Sequence, residues 1–107
     1  MSGDFAIFDT IRTQMVDRHV HVSTGKMMRS EAITYKDKVF AFYGRAEMMC
    51  FKLGRDFDHE AHGITDYTVL APFKSRPPMK DWFLVPDSTQ WERLSQLALD
   101  AMREALG

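Results

Sequence analysis

The chain has 107 residues and a formal net charge of −1, which limits it to one domain and removes any global pull toward nucleic acid or an anionic membrane. A hydrophobic share of 45% beside a charged share of 27% suits one packed core and excludes disorder of the whole chain. The single cysteine, Cys50, cannot form an intrachain disulfide, which fits a reducing cytoplasm.

The start, Met1-Ser2-Gly3-Asp4-Phe5, carries an acid where a secretory signal carries positive charge. No run approaches the ~18–20 apolar residues of a membrane span, so no membrane association is expected. Residues 4–19 predict an amphipathic helix capped by Asp4, with Phe5, Phe8, Ile11, Met15 and Val16 on one face. His19 to Gly25 breaks the helical period and reads as a connection.

Three short strands follow as a meander. The first runs from about Met27 to Tyr35, the second from Val39 to Tyr43 after a tight Lys36-Asp37-Lys38 turn, and the third from Met48 to Leu53. Alternation puts Phe40 and Phe42 on one face of the second strand, and Met49, Phe51 and Leu53 on one face of the third. Arg55 to His62 reads as a short polar helix stopped by Gly63. Tyr67 to Leu70 is a fourth strand, and Ala71 to Pro78 a proline-punctuated loop. Met79 to Val85, bounded by Pro78 and Pro86, is a fifth strand. The last helix spans about Ser88 to Leu106, capped by Asp87 or Ser88. Trp91, Leu94, Ala98, Ala101 and Ala105 trace its inner face, widened by Leu97 and Met102.

The expected fold is therefore α+β: a two-layer sandwich in which helices cover one face of a five-stranded antiparallel sheet, in the order α-β-β-β-α-β-β-α. The uncovered face is the natural place for a partner or a second copy.

Several runs carry a family likeness: Lys26-Met27-Met28, the hairpin into Val39-Phe40-Ala41-Phe42, Phe51-Lys52-Leu53, Ala71-Pro72-Phe73, and Arg76-Pro77-Pro78-Met79-Lys80-Asp81-Trp82. Together they resemble the TfoX N-terminal domain family, which is related to the MmcQ/YjbR-like proteins. The likeness extends from about Gly25 to the end of the chain and is sharpest in the Arg76–Trp82 run. It implies a two-layer α/β sandwich with an antiparallel sheet and a competence-related regulatory setting. Arg29 and Ser30 depart from the family pattern, which often has glycines at those positions.

The chemistry-bearing residues form no catalytic set. His59 and His62 are three apart beside Asp58 and Glu60, and His19 and His21 share an extended face. Neither pair has a second ligand pair at metal-site spacing, so a solvated helix and a polar connection account for them. Cys50 sits mid-strand beside Lys52 and reads as a passive strand cysteine. No nucleophile–base set, phosphate-cradling glycine loop or nucleotide fingerprint is present, so neither enzymatic activity nor a cofactor is expected.

Two features point to binding instead. Met27, Met28, Met48 and Met49 form adjacent pairs, and one member of each must face away from the covered side. Met28 and Met48 are the candidates for an apolar contact with a protein partner or a second copy. Lys26, Arg29, Lys74, Arg76 and Lys80 lie at strand starts and in the proline loop. Joined into a basic rim, they would make nucleic-acid binding the alternative reading.

Overall fold

The computed structural model describes residues 4–27, 29–44, 48–71 and 77–106. Helix α1 spans Asp4–Arg18 and strand β1 Val22–Met27. Strands β2 (Ser30–Tyr35), β3 (Lys38–Tyr43) and β4 (Met49–Lys52) follow, then β5 (Thr68–Leu70), β6 (Met79–Val85) and helix α2 (Trp91–Leu106). The architecture is α+β, with an antiparallel sheet and two helices, as its hydrophobic pattern predicts.

The sheet has six strands, not five, in the order β1-β2-β3-β4-β6-β5. The extra strand takes up the end of the His19–Gly25 connection and reaches the start of the single strand expected over Met27 to Tyr35. Val22 to Met27 pairs with β2 from Val22↔Tyr35 to Met27↔Ser30. Only Val22 of that strand is buried, so it has no apolar alternation to announce it. No Gly, Pro or Asn between Met27 and Ser30 signals a turn, so β1 and β2 merge in a sequence reading. The expected helix over Arg55–His62 is also absent. That stretch holds only a 3₁₀ turn, Glu60–His62, closed by Gly63 in the left-handed region at φ 72. The Gly63 N–H donates to the Glu60 carbonyl at 3.0 Å, so the glycine stop itself is real.

Both helices lie on one face of the sheet. Phe8, Ile11 and Met15 of α1 join Trp91, Leu94, Ala98, Leu99 and Met102 of α2 over Ile33, Phe40, Met49, Phe51, Phe83 and Val85. The Trp91 indole Nε1–H donates to the Val85 carbonyl at 2.8 Å, tying the start of α2 to the end of β6. Asp87 accepts from the Thr89 N–H at 3.1 Å and from the Thr89 hydroxyl at 2.6 Å, which sets the entry to α2.

The inner faces are rotated slightly from expectation. Phe5 and Val16 remain 41% and 37% exposed on the flanks of α1, while Leu99 replaces Ala101 and Ala105 in the buried stripe of α2. Asp4 is the first residue of α1 rather than its cap.

Two tight backbone features shape the sheet. The β2–β3 hairpin turns through Lys36 and Asp37, both left-handed at φ 50 and 69, the geometry whose twist matches paired strands. A bulge then displaces β3: Ile33 pairs with Ala41 and Thr34 with Val39, leaving Phe40 as the extra residue. Phe40 and Phe42 therefore sit on opposite faces, not on one.

Across β1 and β2, a Cβ at Gly25 would lie 2.6 Å from Thr34 Cγ2. Thr34 is buried, β-branched, and held by its hydroxyl donating to the Ser23 carbonyl at 3.3 Å, so it cannot rotate away freely. Gly25→Ala is expected to cost about 1–3 kcal/mol in urea unfolding. Adding Thr34→Ser, which deletes Cγ2, should recover most of that loss. A neutral Gly25→Ala would contradict the contact.

Candidate functional site

The face of the sheet turned away from the helices carries a second apolar cluster. Ala32, Phe42, Cys50, Leu70 and Trp82 form its centre, and Met27, Val39, Met79 and Leu84 surround it half-buried. Strand pairing explains the grouping. Phe42, Cys50 and Leu84 are register partners across β3, β4 and β6, so their side chains share one face. The Phe42 and Trp82 rings meet at 5.5 Å between centroids, tilted by 51°. Trp82 and Trp91 thus belong to two nuclei on opposite sides of the sheet.

Cys50 is fully buried in this cluster, and burial pushes its thiol up to about 12. A thiol held protonated and shielded is not a nucleophile at neutral pH. The passive reading of Cys50 therefore has a physical basis.

Of the four paired methionines, three lie among the described residues. Met49 is buried under the helices, and Met27 packs at the margin of the reverse cluster. Met48 is half-buried just before β4, and its carbonyl accepts the Gly44 N–H at 2.7 Å. Met28 lies outside the described residues.

Among the described residues, the basic side chains are not gathered into one rim. Lys26 pairs with Glu31 at 2.6 Å, and Arg12 reaches the same carboxylate at 2.8 Å. These two cations hold the Glu31 carboxyl below its ordinary value. Lys26 is thereby committed to tying β1, β2 and α1 together. Arg29 is exposed in the β1–β2 connection at the same end of the sheet. Lys80 lies near the start of β6, at the opposite end, because Met49 pairs with Val85 and Lys52 with Trp82. Four strand spacings separate β1 from β6, about 19 Å. Lys74 and Arg76 lie outside the described residues.

Lys80 instead neighbours Lys52 and Arg55, which line one pocket with Asp81 and Trp82. In the sequence Lys52 stands beside Cys50 and Arg55 opens a polar stretch, with nothing local to join either to Lys80. The one usable signal was Lys52 ending the apolar alternation of β4.

The histidines serve different local roles. His19 Nδ1 lies 3.0 Å from the Arg103 guanidinium, and His21, at φ 68, packs edge-on to Tyr35. His59 stacks on Tyr67 with 3.7 Å between ring centroids, and His62 stacks on Phe57 at 4.7 Å. The two rings are spent on separate stacks, so they do not form a ligand pair. Among the described residues, no group of three or more His, Cys, Asp or Glu side chains is placed to hold a metal ion. No described helix is long and apolar enough to cross a membrane.

No family model matches the chain, and neither a curated protein nor a solved structure matches it.

Proposed function

We propose that the chain is a non-enzymatic binding module of the TfoX N-terminal type, acting by protein–protein contact through the reverse face of its sheet. A second copy of the chain is the first partner to consider. The supporting observation is the aromatic and methionine cluster on the side that neither helix covers. A sheet face left to water normally alternates to polar residues. Here Phe42, Leu70 and Trp82 form a buried apolar centre, and Met27, Val39, Met79 and Leu84 stay partly exposed around it. Methionine side chains adapt to a partner's shape at low cost, which suits a contact surface. The regulatory setting rests on the Arg76–Trp82 run, and a reducing, cytoplasmic location rests on the one buried cysteine.

Sedimentation velocity over a wide concentration range tests this reading. The wild-type protein is expected to sediment faster as concentration rises. Met27→Glu and Met79→Glu, each placing a charge at the margin of the cluster, should hold it at the monomer value while leaving the fold intact by circular dichroism. A wild-type monomer at every concentration would remove self-association. Variants that associate as well as wild type would move the contact away from this face.

A further inference from the structure

We propose that the outer edge of β1 binds an extended segment of another protein, added antiparallel to the sheet, with an aromatic side chain facing Gly25. The two edges of the sheet differ in kind. β5, at one end, has three residues and an irregular register with β6. Natural sheets blunt their edges in such ways, which discourages pairing. β1, at the other end, runs six residues in unbroken register with β2, from Val22↔Tyr35 to Met27↔Ser30. It contains no proline. Its one charge, Lys26, is held by Glu31 at 2.6 Å instead of standing free against an incoming strand. No described strand covers its outer side.

The pairing with β2 sets the direction of each main-chain group. Antiparallel partners exchange both hydrogen bonds at every second residue and none at the residue between. The Lys36 N–H donates to the His21 carbonyl at 2.9 Å, while the Val22 N–H turns away from β2 and donates to the His19 carbonyl at 3.3 Å. By that alternation Ser23, Gly25 and Met27 direct their N–H and C=O groups to β2. Thr24 and Lys26 turn both of theirs outward, and Val22 turns its carbonyl outward. These groups are the donor and acceptor ladder that an added strand uses.

Gly25 selects what the added strand carries. It stands opposite the buried Ala32, and both lie on the reverse side of the sheet. The Thr34 methyl leans to 2.6 Å from where a Gly25 Cβ would stand, so β1 itself can put no side chain there. A ring brought by the neighbouring strand covers the bare backbone without that clash. A second copy of β1 fits poorly. Antiparallel pairings that match the outward groups of two β1 strands lay His21, Ser23, Gly25 or Met27 across from Gly25. Ser23 and Gly25 are small, and His21 is left-handed at φ 68 and lies before the strand. Met27 comes opposite only where the two Lys26 side chains directly face each other, and like charges so placed destabilise a pair. The occupant that fits is a segment of a different protein, with an aromatic residue between β-branched neighbours.

Titration of the isotope-labelled full chain, followed by amide shifts, tests this with the end-blocked peptide Glu-Thr-Thr-Phe-Thr-Thr-Glu and two relatives. One relative has alanine in place of the phenylalanine. The other is N-methylated at the two threonines that flank it, which blocks the donors aimed at Thr24 and Lys26. The parent peptide is expected to bind with shifts at residues 22–27 and 32–34, and each relative at least tenfold more weakly. Thr24→Pro removes an outward N–H without removing a bond to β2, a place where an edge strand tolerates proline. It should weaken the parent peptide at least tenfold, and Thr24→Ala, which keeps the N–H, should not. Circular dichroism separates a lost site from a lost fold, and the N-methylated peptide makes the same test on the unaltered protein. If the parent peptide does not bind, if either relative matches it, or if the shifts map elsewhere, the proposal fails. Chain association that survives Met79→Glu and is abolished by Thr24→Pro would make a second copy the occupant and overturn it as well. Met79→Glu, on β6, should leave peptide binding unchanged, so failure here is distinct from failure of the reverse-face contact.

Discussion

Trp91→Ala is expected to remove about 3–5 kcal/mol of stability, most of what a domain with a typical ~5–15 kcal/mol possesses. Trp91 is fully buried at the junction of three elements. Its ring meets Tyr43 of β3 edge-on at 6.1 Å, and its indole N–H ties α2 to the Val85 carbonyl of β6. Truncation leaves a cavity under α2 and a carbonyl without its donor, the second effect adding about 1 kcal/mol. Trp91→Phe separates the two terms, because a ring stays in place while the N–H is lost. Urea unfolding should place it well above the alanine variant. Trp82 offers the control. It belongs to the cluster on the other side of the sheet, so Trp82→Phe and Trp91→Phe should add within about 0.5 kcal/mol. Strong coupling between them would mean that the two clusters are one nucleus.

The two-cluster arrangement explains what the sequence could and could not reveal. Apolar spacing made α2 and β4 legible, since Leu94, Ala98 and Met102, or Met49 and Phe51, repeat at the spacing of a single buried face, whereas α1 is only weakly amphipathic and rests on Phe8, Ile11 and Met15. The left-handed Lys36-Asp37 turn was legible from the short polar break between two apolar runs. Strand β1 was not. Five of its six residues escape full burial, and it is held by pairing with β2 and by the Lys26–Glu31–Arg12 ion pairs, neither of which has a local period. The bulge at Phe40 was equally silent, because one inserted residue changes the face of a side chain without changing composition.

Residues 55–62 have the polarity of a surface helix, yet only Glu60–His62 turn, as a 3₁₀ element. Their conformation is set by Phe57, Ile64 and His59 packing on the helix-side face near β6. The cationic pocket was half legible. Lys80 stood out within its motif, but Lys52 and Arg55 reach it only through the β4–β6 pairing, and that pairing places β6 between β4 and the strand that precedes it in sequence.

Acidification should loosen the crossover between β4 and β5, with His59 as its sensor. The ring is only 7% exposed. It lies flat on Tyr67, with the edges of Phe83 and Phe57 at 4.3 and 4.8 Å. Its Nε2 is buried and has no hydrogen-bond partner among the described residues. Burial holds its pKa below the ordinary 6.5, opposed by a hydrogen bond to the Phe57 backbone and by Asp58, and reinforced by His62. The unfolded chain therefore takes up the proton at higher pH than the folded one. Stability from a neutral His59 is fully present above about pH 6.5 and is lost as pH falls below it. Placing a new N–H where no acceptor waits costs about 1–3 kcal/mol. Urea midpoints at pH 8, 7, 6 and 5 should fall accordingly. His59→Phe keeps an aromatic ring against Tyr67 and Phe83 but cannot titrate, so the difference between the two proteins should shrink or reverse toward pH 5. His19, His21 and His62 are retained in both proteins. Amide exchange over residues 54–67 should quicken at pH 5 in the wild type, after correction for intrinsic rates, and not in the variant. A pH dependence identical in both proteins would assign the acid response to other groups and leave His59 a packing residue alone.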